Sequence, residues 1–351
     1  MSLDAPAPSS AVASSLTRRL DAATVVAGDL GASYARLWAS VRESTEGGKR
    51  FRPALFTSAY ECWGGTDADA AAEVAAGLEL LHTAFVVHDD VIDHDLVRRG
   101  RSNVVGSHTL VAEASGASPA RSRDFGVAAG ILAGDLALAA AIRAVAGCPA
   151  PRRTVQRLLD LFDHALHETA AGELSDVELA LGVGEPSLSD TLTMAERKTA
   201  VYSFALPLQA AAVLAGRTQD DVDAAEQVGR LLGVAFQLAD DLVGVFGDPA
   251  VTGKSAARDL RSGKQTPLIA HARGTRWWPL IAPYVGDEHL DAAQAEQVRL
   301  LLVRSGSRRY VEELAARHGD AALELAREHG LPPELLASLS WLIEDLLGRA
   351  A

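Results

Sequence analysis

The stretch LELLHTAFVVHDDVIDHDLVRRG, Leu78 to Gly100, is largely apolar as far as Val87. It then places Asp89, Asp90, Asp93 and Asp95 within one short run and follows them with Arg98 and Arg99. The apolar part belongs to a longer pattern, Ala70 to Leu96, that reads as one helix. On a helix Asp89 and Asp93 lie four residues apart and share a face, with Asp90 about 100° round. Like charges this close repel one another, and a bound hard cation reverses the sign of that effect. Mg²⁺ prefers carboxylate oxygens, keeps several waters and completes its shell with substrate phosphates. The arginines a turn later suit phosphate oxygens, to which they donate bidentately.

A solvated acidic face is the alternative reading, and the chain contains a control for it. In TQDDVDAAE, Thr218 to Glu226, the acids directly follow Thr218, an expected N-cap, so the helix dipole accounts for them. Asp89 follows an apolar run instead.

The wider composition agrees with packed helices. The chain has 351 residues, 48% of them hydrophobic and only 5% aromatic, which favours helices over sheets. The net charge of −13 argues against a nucleic-acid partner, because a phosphate backbone demands a basic face. Two cysteines, Cys62 and Cys148, make no disulfide framework and no zinc set, so an intracellular, cytoplasmic protein is expected. Residues 1–14 lack the basic start and apolar core of a signal peptide and read as a disordered tail. The apolar run Val127 to Ile142 is short for a membrane span and carries Asp135 in its middle, so a buried helix is expected, not an integral membrane protein.

Helical periodicity continues almost throughout. Segments are expected at Leu16–Arg42, Pro53–Cys62, Val155–Ala180, Ser189–Leu214 with Ser189 as N-cap, and Thr218–Phe246. The final third, Asp291 to Leu347, reads as helices broken at Gly306, His318–Gly319 and Pro332–Pro333. Gly106 to Phe125 is expected as the longest irregular segment. No strands, linker or repeat divides the chain, so residues 15–351 read as a single all-α domain.

A second apolar helix turns acidic in mid-course in GVAFQLADDLVGVFGDPAVTGKSAARDLRSGKQTPL, Gly233 to Leu268. Asp240 and Asp241 follow Gln237, and Lys254 and Lys264 come after a glycine-containing loop. Two such helices can share metals across a bundle. Basic residues also cluster in GGKRFRP, Gly47 to Pro53, and in ERKTA, Glu196 to Ala200, where solvated surface lysines are the plain alternative. GGKR lacks the spacing of a P-loop.

The ordered set GGKRFRP, ELLHTAFVVHDDVIDHDLVRRG, ILAGD, GELSD, KTAVYSFALPL, AFQLADDLVGVFGD and TGKSAARDLRSGK resembles the trans-isoprenyl diphosphate synthases, or polyprenyl synthetases. The resemblance runs from about Leu16 to the C-terminus and is strongest from Gly47 to Pro267. It implies one large helical bundle around a deep apolar cavity, and a homodimer packed through helices. Two aspartate motifs would face each other at the cavity mouth and hold three Mg²⁺ ions. There an allylic diphosphate would ionise and its cation would be attacked by the double bond of isopentenyl diphosphate, with loss of a proton.

Residue by residue, the resemblance implies Asp89, Asp90 and Asp93 as the first metal motif, and Asp240 with Asp241 as the second. It implies Arg98, Lys198, Thr199, Gln237, Lys254 and Lys264 at the allylic diphosphate, with Asp176 near that substrate. Lys49, Arg52, His82 and Arg99 fall at the isopentenyl diphosphate site, and Asp135 falls at a structural Gly-Asp step. Three positions depart from the family: Gly244 replaces the third aspartate of the second motif, Glu173 replaces a glutamine, and Ala257 a glycine. With Gly244 in place, the metal load falls on Asp240 and Asp241 or is shared with Asp248.

Product length in this family depends on residues just before the first motif. Here Leu81, Ala84 and Phe85 occupy those positions. One aromatic beside a small residue points to a short-chain product, geranylgeranyl diphosphate first and farnesyl diphosphate second, although plain core packing also explains Phe85. A class I terpene cyclase and a non-catalytic regulatory subunit are the rival functions. The single asparagine, Asn103, lies far from the second acidic helix, where a cyclase carries its Asn-containing motif.

Overall fold

A computed structural model describes residues 10–46, 50–181, 184–247 and 258–350. The fold is all-α, as expected, and adds one very short hairpin. The first helices are α1 (Ser10–Asp29), α2 (Ala32–Ser44), α3 (Phe51–Cys62) and α4 (Ala68–Ile92). Two-residue strands β1 (Val97–Arg98) and β2 (Arg101–Ser102) pair antiparallel, with Val97 opposite Ser102. Then come α5 (Val104–Ala114), α6 (Pro119–Ala146), α7 (Arg152–Ala180) and α8 (Leu188–Ala195). A π-helix (Glu196–Ala205) runs directly into α9 (Leu206–Leu214), and α10 (Gln219–Phe246) comes after it. The remainder comprises α11 (Arg258–Arg261), α12 (Pro267–Arg273), α13 (Trp278–Ile281), α14 (Ala292–Arg304), α15 (Ser307–Glu328) and α16 (Pro333–Ala350).

Several boundaries differ from the sequence reading, each for a local reason. Leu16–Arg42 is two helices, because Gly31 takes φ 111 and breaks the run. α1 already begins at Ser10, inside the segment expected as a tail, and residues 1–9 lie outside the described residues. The expected irregular segment Gly106–Phe125 is mostly helical. Asn103 caps α5 by accepting from Gly106 N at 2.8 Å, and Pro119 opens α6 at its first turn. α8 is capped by Ser187, two residues before the expected Ser189, through a reciprocal capping box with Asp190. Thr218 caps α10 as expected, and Asp221 completes its capping box. His318–Gly319 breaks nothing: both lie inside α15, where Gly319 gives room to Ile343.

The chain forms two compact units, residues 1–162 with 213–216 and residues 163–212 with 217–351. In the first, α4 packs along α6, and α5 lies on α6 as well. Small residues make that approach close. Gly126 faces Thr109 and Val105 of α5, Gly130 faces Val91 of α4, and Gly134 accommodates the His88 ring. Ala129, Ala133, Ala137 and Ala141 continue the buried face of α6. Only that face is buried. Phe125, Ile131 and Leu132 stand 43%, 45% and 54% exposed, so the helix expected as buried is buried on one face. Both α4 and α6 are long and apolar enough to cross a membrane, but 78% of the apolar window of α4 is buried in protein.

In the second unit, α10 packs on α15, α16 and the π-helix. Leu238, Leu242, Leu268, Ile281, Val298, Leu302 and Val311 share its core. Gly229 and Gly233 bring α10 against the backbone of Ala205 and Ala200 of the π-helix. A Cβ at Gly229 would meet main chain, which cannot turn aside. Gly229→Ala should therefore destabilise the protein by about 1–3 kcal/mol through overpacking, outweighing the roughly 1 kcal/mol that alanine gains in helix propensity. Denaturant unfolding measures the sign.

Candidate active site

The first cluster sits where α4 ends. Asp89 and Asp90 lie in its closing turn, and Asp93 is its C-cap, donating its N–H to Asp89 O at 2.8 Å. The chain then doubles back through the hairpin. Arg99 and Gly100 form its two-residue turn with φ of 53° and 74°, both positive as a type I′ turn requires. The return brings Arg98 onto the end of α4. Arg98 Nη2 donates to Asp89 Oδ2 at 2.9 Å, and Arg98 Nε donates to Asp90 Oδ1 at 2.7 Å. Asp90 is 2% exposed. Burial pushes its carboxyl up to about 6, against the pull of Arg98. Arg98 is held above its usual range, because Asp90 and Asp89 outweigh its own burial. Asp93 remains exposed.

Beside these acids lies a cationic group. Burial and the charges of Arg52, Arg99 and Arg98 hold the His82 ring well below its usual range, so it stays neutral. Arg52 comes from the first turn of α3, and Arg99 Nη1 donates to Glu46 O at 3.1 Å. Arg50, the N-cap of α3, and Arg99 both adopt left-handed backbone, at φ 46 and φ 53. Strain of this kind collects at functional sites. Leu81 and Ala84 are buried on the same helix, and Phe85 is half-buried one turn below Asp89. Asp135, expected as structural, is 64% exposed with His88 Nε2 at 3.4 Å.

The second cluster lies in the second unit, on the π-helix, α7 and α10. Gly172 lets α7 touch the backbone at Arg197 and Lys198. Lys198 Nζ is thereby held between Glu173 at 3.0 Å and Asp176 at 2.6 Å. Next to it, Thr199 Oγ1 donates to Gln237 Oε1 at 2.9 Å, and Gln237 Nε2 donates to Asp241 Oδ1 at 2.8 Å. Asp241 is buried, and burial pushes its carboxyl well above the usual range. Asp240 points the other way and is exposed. Lys264 lies near enough to Asp241 to oppose that rise. The two adjacent aspartates therefore differ in kind: Asp240 is exposed, and Asp241 is buried and accepts from Gln237. Lys49, Lys254 and Asp248 lie outside the described residues.

Among the described residues, no three His, Cys, Asp or Glu side chains converge as a ready metal cage. Mg²⁺ needs none, since one or two carboxylates, waters and substrate phosphates suffice. The donor set fits that ion, because Asp89 and Asp90 already grip a cationic group between them.

Residues 36–277 match the model of the polyprenyl synthetase family. A (2E,6E)-farnesyl diphosphate synthase of Mycobacterium tuberculosis is 32% identical over 310 residues, 87% of this chain and 80% of that one. A geranylgeranyl diphosphate synthase of the same organism is 32% identical over 315 residues, 87% and 83% of the two chains. The crystal structure of a geranylgeranyl pyrophosphate synthase from Corynebacterium glutamicum, complexed with isoprenyl diphosphate and magnesium, superposes with a TM-score of 0.88. Its identity is 30%, and the match covers 96% of this chain and 97% of that one. A fold and acid-bearing helices of this kind define the isoprenyl diphosphate synthases. The chain belongs to the polyprenyl synthetase family and is a prenyltransferase.

One buried group escaped the sequence reading. Glu79, three residues before His82 on α4, is 5% exposed, and its Oε2 has no hydrogen-bond partner among the described residues. The signal was a lone carboxylate in an apolar helix, overshadowed by the aspartates ten residues on. Burial raises its carboxyl, although Arg52, Arg50 and Arg99 oppose the rise. A raised folded-state value means that the associated stability is complete below 4.5 and is lost as pH climbs through that raised value. Glu79→Gln mimics the protonated form at every pH. Its stability relative to wild type should improve as pH rises from acid to neutral, read by denaturant unfolding. A pH-independent difference would contradict this.

Proposed function

We propose that the chain condenses isopentenyl diphosphate with an allylic diphosphate to give a short all-trans prenyl diphosphate, geranylgeranyl diphosphate first and farnesyl diphosphate second. The two units then act as one catalytic domain of residues 15–351. The observation that carries the reading is Arg98 spanning Asp89 and Asp90, with neutral His82 and the Arg52 and Arg99 cations alongside. Acids for metal and cations for phosphate share one helix end.

Asp89, Asp90 and Asp93 of α4, and separately Asp240 of α10, are the proposed ligands for Mg²⁺, three ions in all. When bound, Mg²⁺ neutralises charge that builds on the departing diphosphate. Arg98, Lys198, Lys254 and Lys264 grip that same leaving group and stabilise it as the allylic C–O bond breaks. Lys198 is preset by Glu173 and Asp176, and Thr199 by Gln237, so little reorganisation is needed. Lys49, Arg52, His82 and Arg99 orient the incoming isopentenyl diphosphate. The apolar cavity that the family resemblance implies would keep water from the allylic cation.

The named relatives make both farnesyl and geranylgeranyl products at equal identity, so product length rests on Phe85. Incubation of the purified protein with isopentenyl diphosphate, dimethylallyl, geranyl or farnesyl diphosphate and Mg²⁺ should yield geranylgeranyl diphosphate, and Phe85→Ala should lengthen it by at least one five-carbon unit. An unchanged product would remove Phe85 as the floor. No condensation, with cyclic hydrocarbon formed instead, would favour a cyclase, and no turnover at all a regulatory subunit.

The homodimer proposal is supported by the exposed apolar face of the first unit. Leu110 of α5 and Phe125, Ile131 and Leu132 of α6 are too many large side chains for a solvated face. A second copy of the chain is the proposed cover. Wild-type protein should be dimeric by light scattering, and Leu132→Glu should release monomer. A monomeric wild type would overturn the proposal.

A further inference from the structure

The π-helix is the least ordinary element of the second unit. It continues α8, runs straight on into α9, and keeps its wide register for 10 residues. Registers of this kind are rare and mostly last a single turn. Gly172, Gly229 and Gly233 let its neighbours approach closely. Close approach alone does not set which residue faces which.

Both ends of the π-helix are tied to one turn of α10. At its start, Arg230 Nη1 donates to Glu196 Oε1 at 2.8 Å. Arg230 Nε also donates to Glu226 Oε1, one turn back on α10, at 2.9 Å. Beyond its far end, Gln209 of α9 is 5% exposed and donates through Nε2 to the other oxygen of Glu226 at 3.2 Å. Arg230 Nη2 also lies 3.4 Å from His164 Nε2 of α7. Glu226 and Arg230 are thus a hub shared by four helical segments. Lys198 and Thr199 lie between the two tied ends, next to Arg197, whose Nε is 3.5 Å from Glu168 Oε2 of α7.

The register decides where those two side chains point. In the present one Lys198 meets Glu173 and Asp176, and Thr199 meets Gln237. A slip of one residue turns a side chain about 100° round a helix, which would take the ammonium and the hydroxyl out of these contacts. We propose that Arg230 is a positioning residue for prenyl transfer: by holding Glu196 and Glu226 it fixes the register of the π-helix and so aims Lys198 and Thr199 at the allylic diphosphate. The inference rests on the assignment of Lys198 and Thr199 to that substrate under the proposed function. Arg230 acts through these residues and not on the substrate itself. Its side chain is 22% exposed and borders a cavity of about 630 Å³ that is also lined by His318, Ala321 and Glu324 of α15. An ion pair this open adds little to stability by itself, so its loss should be felt in aim more than in folding.

Arg230→Met keeps the apolar stem and removes the donors. Calorimetry with Mg²⁺ and geranyl thiolodiphosphate, in which sulfur replaces the oxygen that would depart, reads the allylic site without turnover. Binding should weaken about 10–100-fold, the range for lost orienting partners, while the KM for isopentenyl diphosphate stays within about twofold of wild type. Should Arg230→Met not fold, Glu196→Gln at a 38% exposed side chain makes the same comparison. In a background that lacks both targets, Lys198→Met with Thr199→Val, Arg230→Met should add less than about twofold, because the interaction it serves is already gone. Wild-type binding by Arg230→Met would overturn the proposal. So would equal losses for the two substrates, or an undiminished further loss in the double-target background. If Lys198→Met with Thr199→Val binds the analogue as wild type does, the assignment of those two side chains fails instead, a result separate from any obtained at Arg230.

Discussion

The guanidinium of Arg98 allows two carboxylates to stand side by side at the end of an apolar helix. Asp90 is almost wholly buried, and its charge is costly there. Arg98 meets it with one donor and meets Asp89 with another. That geometry needs the chain to reverse within a few residues. Arg99 and Gly100 supply the reversal with two positive φ angles. Asn103 ties the end of the hairpin to the start of α5, donating to Asp95 O at 2.8 Å while its own side-chain oxygen caps that helix. A cationic side chain thus bridges the two acids, and under the proposed function it is the group that would meet the diphosphate.

The second cluster solves a different problem by packing. A π-helix is rare and gathers at functional sites. Here it carries Lys198 and Thr199, and glycines on α7 and α10 press against its backbone. Each functional side chain is then held by a second one: Lys198 by Glu173 and Asp176, Thr199 by Gln237, and Gln237 by Asp241. The glutamate at 173, where the family has glutamine, adds a carboxylate partner to Lys198.

The fold was legible where residues act through neighbours in sequence. An apolar helix that turns acidic, a Thr218 cap answered by Asp221, and a break at Gly306 are local statements, and the structure carries them. The segment Gly106–Phe125 looked irregular because its Ser, Gly and Ala residues have no strong periodicity. It is helical because Asn103 caps α5 and Pro119 opens α6, and because Thr109 and Val105 of α5 pack on Gly126 of α6, a tertiary fact. The π-helix was equally invisible, since its causes sit on other helices. In the candidate site, spacing singled out the acids but could not tell the buried Asp90 and Asp241 from the more open Asp89 and Asp240. Glu79 matters only through the residues that fold onto it.

The central claim is that acids embedded late in apolar helices do chemistry, whereas an equally dense cluster at a helix start only caps. Asp89→Asn and Asp220→Asn compare the two directly, through the rate of prenyl transfer at saturating Mg²⁺ and substrate. Asp89→Asn should lose about 10²–10³-fold in kcat, the scale for removing one electrostatic stabiliser of a transition state, while Asp220→Asn should match wild type. Equal rates in the two variants would contradict the claim.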